Sequence, residues 1–555
     1  MRRLLILVIL LSSLGTACSR RSETNAKTSV APAGSEQLFE GLGTHTRKIT
    51  THSPEAQRYF DQGVAFLFGF NHDEAIRSFR QAATLDTSCA MAWWGVSIAN
   101  GPHINNPMVD STHAYAAFDA WQMAKARESG GTETEKALID ALGTRYANPQ
   151  PADRHPLDEA YAAAMREVWH AHPDDADVGA LFAEAMMDLR PWRLWTHDGH
   201  PEPGTEEIVQ TLEQVLAKSP EHPLANHLYI HAVEASPHPE KADSSAARLR
   251  DMEPGLGHMV HMPSHIDVRT GRWVEAQTAN EKAIDVDRAY REKSPKQGFY
   301  RIYMAHNHHM LTYAAIMQGE QAVALAAIHR AINTIPPEFV KEAAPLVDGF
   351  MAMPLEVEMR FGLWDSVLTA PEFPDYLPLS RAMRHFARGA AYAAKGMLPE
   401  AKAEQAAFLA AKTAIAPEAT FGNNSASDLL AVAEHMLAGE ILVRAGQQEK
   451  GVGELRRAVV AEDGLVYDEP PDWIIPVRHA LGATLLTMGR AKEAEAVYRE
   501  DLAKVPGNGW SLFGLARSLE LQKKPGAAEA KAAFDKVWSR ADIQLSSSCF
   551  CQPGV

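Results

Sequence analysis

One spacing of small and aromatic residues, present near both ends of the chain, restricts its fold more than any other feature. Gly63, Phe66, Ala75, Phe79 and Ala82 lie on a helical period, with small residues where two helices must approach closely. Leu481, Gly482, Ala494, Tyr498 and Pro506 repeat the pattern, which sets frame starts at Ala56 and Ile475. From Ala56 onward apolar residues keep the helical period, strand-like alternation is scarce, and turns rich in Gly, Pro and Asp punctuate the pattern. The expectation is an all-α chain of paired helices. Weaker frames begin at Ala90, Pro223, Gly257, Ala305, Asp348, Ala382, Val432 and Gly509. Trp273 and Trp364, in the strings Gly-Arg-Trp and Gly-Leu-Trp, support two of them independently.

This spacing resembles positions 8, 11, 20, 24 and 27 of the 34-residue tetratricopeptide repeat (TPR). The resemblance runs from Ala56 to about Ala541, strong at the ends and loose between, with insertions such as Arg190 to Gly204. It implies a TPR-like, right-handed superhelical solenoid of antiparallel helix pairs, each unit burying its apolar face by stacking on its neighbours. It also implies that positions 2, 5 and 9 of each first helix line a concave groove.

Those positions were fixed without reference to histidine, yet histidine fills them. In the frame at Pro223, positions 5, 9 and 12 are His227, His231 and Glu234; at Gly257, positions 2, 5 and 9 are His258, His261 and His265. At Ala305 they are His306, His309 and Tyr313. With 24 histidines in 555 residues, nine positions drawn at random would hold about 0.4. These hold seven. Glu184 and Asp188 flank the set on one side and Glu356 on the other.

Neutral imidazoles converging from adjacent helices suit a transition metal such as Zn, Cu or Fe. The expected ligands are Glu184, His227, His231, His258, His261, His265, His306 and His309, with Glu234 and Tyr313 as candidate catalytic groups. His227 and His231 are one helical turn apart and can serve one ion. Met259, Met262 and Met310, each next to a groove histidine, also suit copper in an exported protein. The alternatives are a metal-free scaffold holding a peptide or small molecule in the groove, and a periplasmic copper-binding protein. Pro263 lies inside the presumed second helix and is a place for it to begin anew. Two further segments stand out: Gly101 to Pro107, an insertion able to fold over the groove, and the acidic, proline-rich stretch Tyr467 to Trp473, which precedes His479.

Arg2, Arg3, an apolar run from Leu4 to Leu11 and small residues before Cys18 read as an export signal. Leu14, Gly15, Thr16, Ala17 and Cys18 resemble a bacterial lipobox, although leucine usually stands where Gly15 does; cleavage by an ordinary signal peptidase is the alternative. Ser19 resembles the outer-membrane sorting choice. The resulting division is a signal peptide (1–17), a flexible tether (18–50), the solenoid (51–541) and a C-terminal tail (542–555). The location implied is the outer membrane, facing the periplasm or the cell surface. Membrane contact is expected only through the lipid.

A net charge of -16 without a basic stripe argues against a nucleic-acid partner. Three cysteines besides Cys18, namely Cys89, Cys549 and Cys551, are too few for a disulfide scaffold. The tail pair is open to two readings, a soft-metal site or incidental cysteines in a frayed end. No phosphate-binding loop, nucleotide fingerprint, nucleophile elbow or zinc-protease motif is present in the sequence.

Overall fold

The computed structural model describes residues 37–333 and 335–552. The expected signal peptide, Cys18 and the tether up to residue 36 lie outside the described residues, as do residues 553–555. The described chain is an all-α stack of consecutive helix pairs, with one two-residue hairpin, Thr420–Phe421 against Asn424–Ser425. Among the described residues, no helix is long and apolar enough to cross a membrane.

The first pair shows how the sequence specifies the unit. Ser53 accepts from the Ala56 amide and Pro54 occupies the first turn, which starts the helix Pro54–Phe68. Asn71 then caps His72–Leu85. Phe79 of the second helix sits between two glycines: a Cβ on Gly63 would lie 2.5 Å from its ring and one on Gly95 2.4 Å. At the far end Tyr498 lies in the same way between Gly482 and Gly514, where added Cβ atoms would come within 2.4 and 2.1 Å. One knob-and-glycine device thus recurs at both ends with the same spacing, which gives the stack its TPR-like packing. Trp273 and Trp364 each begin a second helix, Trp273–Lys293 and Trp364–Thr369.

The stack also makes contacts that a simple solenoid lacks. Trp273 Nε1 donates to Pro506 O at 3.0 Å, Trp510 Nε1 to Ile316 O at 2.7 Å, and the Asp542 carboxylate accepts from the Gln321 and Ala322 amides. The last repeats therefore return to the middle ones. The buried apolar residues form two main clusters, one spanning Ile49 to Met304 and the other Val268 to Cys551. The helices from Gly257 to Arg269 and Tyr300–Gln318 contribute to both, so the histidines stand at the junction of two cores.

Two expected boundaries change. Residues 37–50 are pinned rather than free. The Phe39 amide binds Gln62, Arg47 binds Asp175 and Asp177, and Thr50 binds Glu135. The described end of the tail, residues 547–552, is mostly buried as well: the Ser548 hydroxyl meets Tyr498 and the His479 carbonyl, and Cys549 and Cys551 are buried. Both segments are polar enough to look unstructured in sequence, yet their side chains and amides find partners on the helices.

Candidate metal centre

The helix Pro223–Glu234 starts on Pro223 with His222 as its cap, and it is buried on all sides. It carries His227 and His231 one turn apart. The next first helix breaks at Pro263 into Gly257–His261 and Pro263–Arg269. Met262 between them keeps right-handed helical angles, so the direction of the chain survives the break. His261 and His265 consequently still face each other across one turn. Tyr300–Gln318 supplies His306 and His309.

Six rings gather into two sets. In one, ligand nitrogens of His227, His231 and His258 all lie within 4.8 Å of one another; in the other, those of His261, His265 and His306 do. His227 Nε2 and His258 Nε2 are 3.2 Å apart, His261 Nε2 and His265 Nε2 2.8 Å, and His261 Nε2 and His306 Nε2 3.1 Å. For comparison, metal–nitrogen bonds of about 2.0–2.1 Å in a tetrahedral site place ligand nitrogens about 3.3 Å apart.

Hydrogen bonds on the far side of the rings fix their tautomers. His227 Nδ1 lies 2.7 Å from the Phe68 carbonyl, and His231 Nδ1 and His265 Nδ1 lie 2.7 Å from the two oxygens of Glu234. His261 Nδ1 lies 2.7 Å from Asn280 Oδ1, and that amide is oriented by its nitrogen, which donates to Ala276 O. A carbonyl or a carboxylate can only accept, so each Nδ1 carries a proton, and each Nε2 presents a lone pair when its ring is neutral. Lone pairs from neighbouring rings then point at one another. A proton can relieve a pair of facing nitrogens; His258, whose Nδ1 has no partner, and His306 complete each set of three possible donors. The donor set thus fits a metal, and the outer partners are of the kind that orient metal-bound imidazoles.

Burial gives the site its charge state. It is the first cause, followed by neighbouring imidazoles, that holds His227, His258, His261 and His306 well below the ordinary imidazole range, and so neutral. Burial alone would depress His265 too, but the charge and hydrogen bond of Glu234 lift it above that range. Burial would raise Glu234, yet His265 and His231 outweigh it and keep the carboxylate ionised.

The remaining expected residues fall elsewhere. His309 is buried, its Nε2 has no partner, and its ring packs 6.0 Å from Phe350, outside both sets. Glu184 is half-buried on Ala176–Met187; burial, opposed by Arg145, pushes it up to about 7, and it joins neither set. Asp188 pairs with Arg145. Glu234, expected as a ligand or base, binds His231 Nδ1 and His265 Nδ1 with its two oxygens and forms with these two rings a third group whose ligand atoms lie within 4.8 Å of one another. Tyr313 packs against Trp273 with ring centres 5.6 Å apart, away from the imidazoles. Met259 and Met262 are buried in one apolar core and Met310 in the other. His479 is held by Asp501 at 3.0 Å.

Several contributors were not foreseen. Phe70 and Trp192 adopt left-handed angles, φ 57° and 61°, and both face the imidazoles: Phe70 is centred 4.4 Å from His227, Trp192 5.4 Å from His231. Such backbone strain concentrates at functional sites. The insertion from Gly101 to Pro107 does reach the cluster, because His103 stacks on His72 and sits 5.0 Å from Phe70. The acidic stretch does too: Tyr467 hydroxyl donates to Glu234 and Glu469, 3.3 and 3.0 Å away. Beside the rings lies a cavity of about 240 Å³. It is lined by His231, His258, His265, His306 and His309, by apolar residues that include Ile328, Ile332, Phe339 and Phe350, and by Arg301 and Asp468.

The fold and site together define an all-α repeat protein with two adjoining three-histidine sets. No protein-family profile and no curated protein matches the chain. Among solved structures it is similar to the human IFIT1 dimer with m7Gppp-AAAA, at TM-score 0.33 and 12% identity over 89% of this chain and 92% of that one. It is also similar to the APC/C hetero-tetramer Cut9–Hcn1, at TM-score 0.34 and 11% identity over 87% and 76%. Likenesses at this level carry no statement about what the present chain binds.

Proposed function

We propose that the chain is a metalloprotein whose two sets, His227/His231/His258 and His261/His265/His306, each hold one copper ion beside a cavity for a small, largely apolar ligand. The observation that supports this reading is the convergence of Nε2 lone pairs whose Nδ1 partners can only accept. Copper is favoured over zinc or iron by charge. With every ring deprotonated, as metal binding requires, six imidazoles and one nearby carboxylate, Glu234, offer little compensation inside a buried site, so two monovalent ions cost less to bury than two divalent ones. Imidazole donors suit copper, and three of them suffice for a cuprous ion.

A copper pair supplies reversible one-electron chemistry at the cavity wall. The protein's own groups do the rest. Glu234 orients one ring of each set, Asn280 and the Phe68 carbonyl orient two more, and Phe70 and Trp192 cover the imidazoles with apolar surface. The cavity favours a metalloenzyme acting on a small ligand; the burial of the same rings favours a second reading, a copper-holding protein without turnover. A change in the copper spectrum on filling the cavity supports the first, and an unchanged spectrum the second. Protein made in copper-replete medium is expected to contain stoichiometric copper. If it contains none, and a chelator leaves partner binding intact, the chain is a metal-free scaffold. We further propose export and lipidation at Cys18, tested by incorporation of labelled palmitate that Cys18→Ser abolishes.

A further inference from the structure

A second donor cluster lies far along the chain from the histidines. Cys549 and Cys551 belong to the tail, yet both are buried. Their sulfurs and a carboxylate oxygen of Glu440 lie within 4.8 Å of one another. The two cysteines are joined by a disulfide in this structure. Glu440, on the helix Ala426–Arg444, is 2% exposed, and neither of its carboxylate oxygens has a hydrogen-bond partner. A buried carboxylate left without a partner costs free energy, so it marks a place where something positively charged belongs.

We propose that the reduced Cys549 and Cys551 thiolates and the Glu440 carboxylate form a zinc site, closed by the disulfide and opened by reduction. The disulfide takes two electrons either from a dithiol, which gives up its two protons as it becomes a disulfide, or from a phosphine, which becomes the phosphine oxide while water supplies its oxygen and the two protons; zinc then displaces both thiol protons. Two thiolates and a carboxylate are a donor set for zinc, a borderline-soft divalent ion. The local groups fit the charge. The Cys551 amide donates to the Cys549 sulfur at 3.2 Å, a contact that favours thiolate. Arg444, which donates to the Cys551 carbonyl, lies close enough to act on Glu440. With its positive charge, the dication and three anionic donors sum to neutrality. Gln552, next in the chain, has a buried side-chain amide without partners, adjacent to the cluster. The third remaining cysteine, Cys89, is buried in the other apolar core and serves as the control.

The test uses the full chain reduced with a phosphine, with cobalt(II) as the spectroscopic substitute for zinc. A sulfur-to-cobalt charge-transfer band reports thiolate ligation and does not arise from histidine sites. The band is expected to saturate at the intensity of one cobalt per chain once the histidine sites are filled, and to be displaced by zinc. It should be absent from the oxidised chain and from Cys549→Ser and Cys551→Ser, and unaffected by Cys89→Ser. Glu440→Gln, close in shape, should weaken binding by about tenfold or more. No band in the reduced chain, a band that survives either serine substitution, or a disulfide that resists reduction in the folded chain would overturn the proposal.

Discussion

His261 Nε2 and His265 Nε2 face each other 2.8 Å apart, while Asn280 and Glu234 hold the protons of both rings on their far sides. Two acceptor nitrogens in that arrangement repel unless a cation lies between them. His306 Nε2, 3.1 Å from His261 Nε2, adds the third donor of the metal site proposed above.

Glu234 serves both sets, one oxygen to His231 and one to His265. Glu234→Gln should therefore lower copper affinity at both sites by about 10- to 100-fold. Asn280→Ala should weaken only the His261 site. Titration against a competing chelator separates the two outcomes, and a single-site loss in Glu234→Gln contradicts the shared role.

Gly63 and Gly453 should respond oppositely to alanine. A Cβ at Gly63 strikes the Phe79 ring, an overpacking that costs about 1–3 kcal/mol. Gly453, inside the helix Gln448–Asp463, has nothing within 4 Å of an added Cβ, so the better helix former should stabilise by up to about 1 kcal/mol. Urea denaturation of the two variants checks both signs.

Asp177 ties the N-terminal segment to the helices through Arg47, His45 and His222. The His222 ring accepts the Ala225 amide on Nδ1, so it donates to Asp177 from Nε2 and is occupied as a structural group. Burial would raise this carboxyl, but bonds from His222 and His45 and the charge of Arg47 hold it well below the usual carboxylate range. A depressed acid stabilises the fold above its unfolded pKa of about 3.9, and that contribution is lost as pH falls toward the folded value. Asp177→Ala should cost about 3–5 kcal/mol at pH 7, with a smaller gap from wild type at pH 3. A gap independent of pH contradicts the linkage.

The cavity should accept a small apolar probe without disturbing the metals. Benzene is expected to raise the melting temperature of the wild type. Ala305→Phe, which places a ring inside the lined space, should abolish that rise and leave copper content unchanged. Loss of copper in this variant would show that the cavity and the sites are not independent.

Much of this was legible in the sequence because both signals are periodic. Glycine against an aromatic, 16 residues apart, gave the helix pairs, and groove positions chosen from those pairs picked six histidines that do converge. What was not legible is long-range. Trp273 to Pro506 and Tyr467 to Glu234 join segments more than 230 residues apart, and no local pattern specifies such closure. For the same reason His309 and Tyr313 share the helix and the periodicity of His306 yet face other neighbours. Phe70 belonged to the apolar pattern and Asn280 to a polar helix face, so neither carried a signal of its own. The acidic stretch from Tyr467 was marked only by composition.

Metal content per chain bears most directly on the central claim. Elemental analysis of copper-loaded protein should give two ions in the wild type. It should give one in His227→Ala/His258→Ala and one in His261→Ala/His306→Ala, with the fold retained by circular dichroism. Metal-free wild type, or equal content in all three proteins, would contradict the assignment of two three-histidine sites.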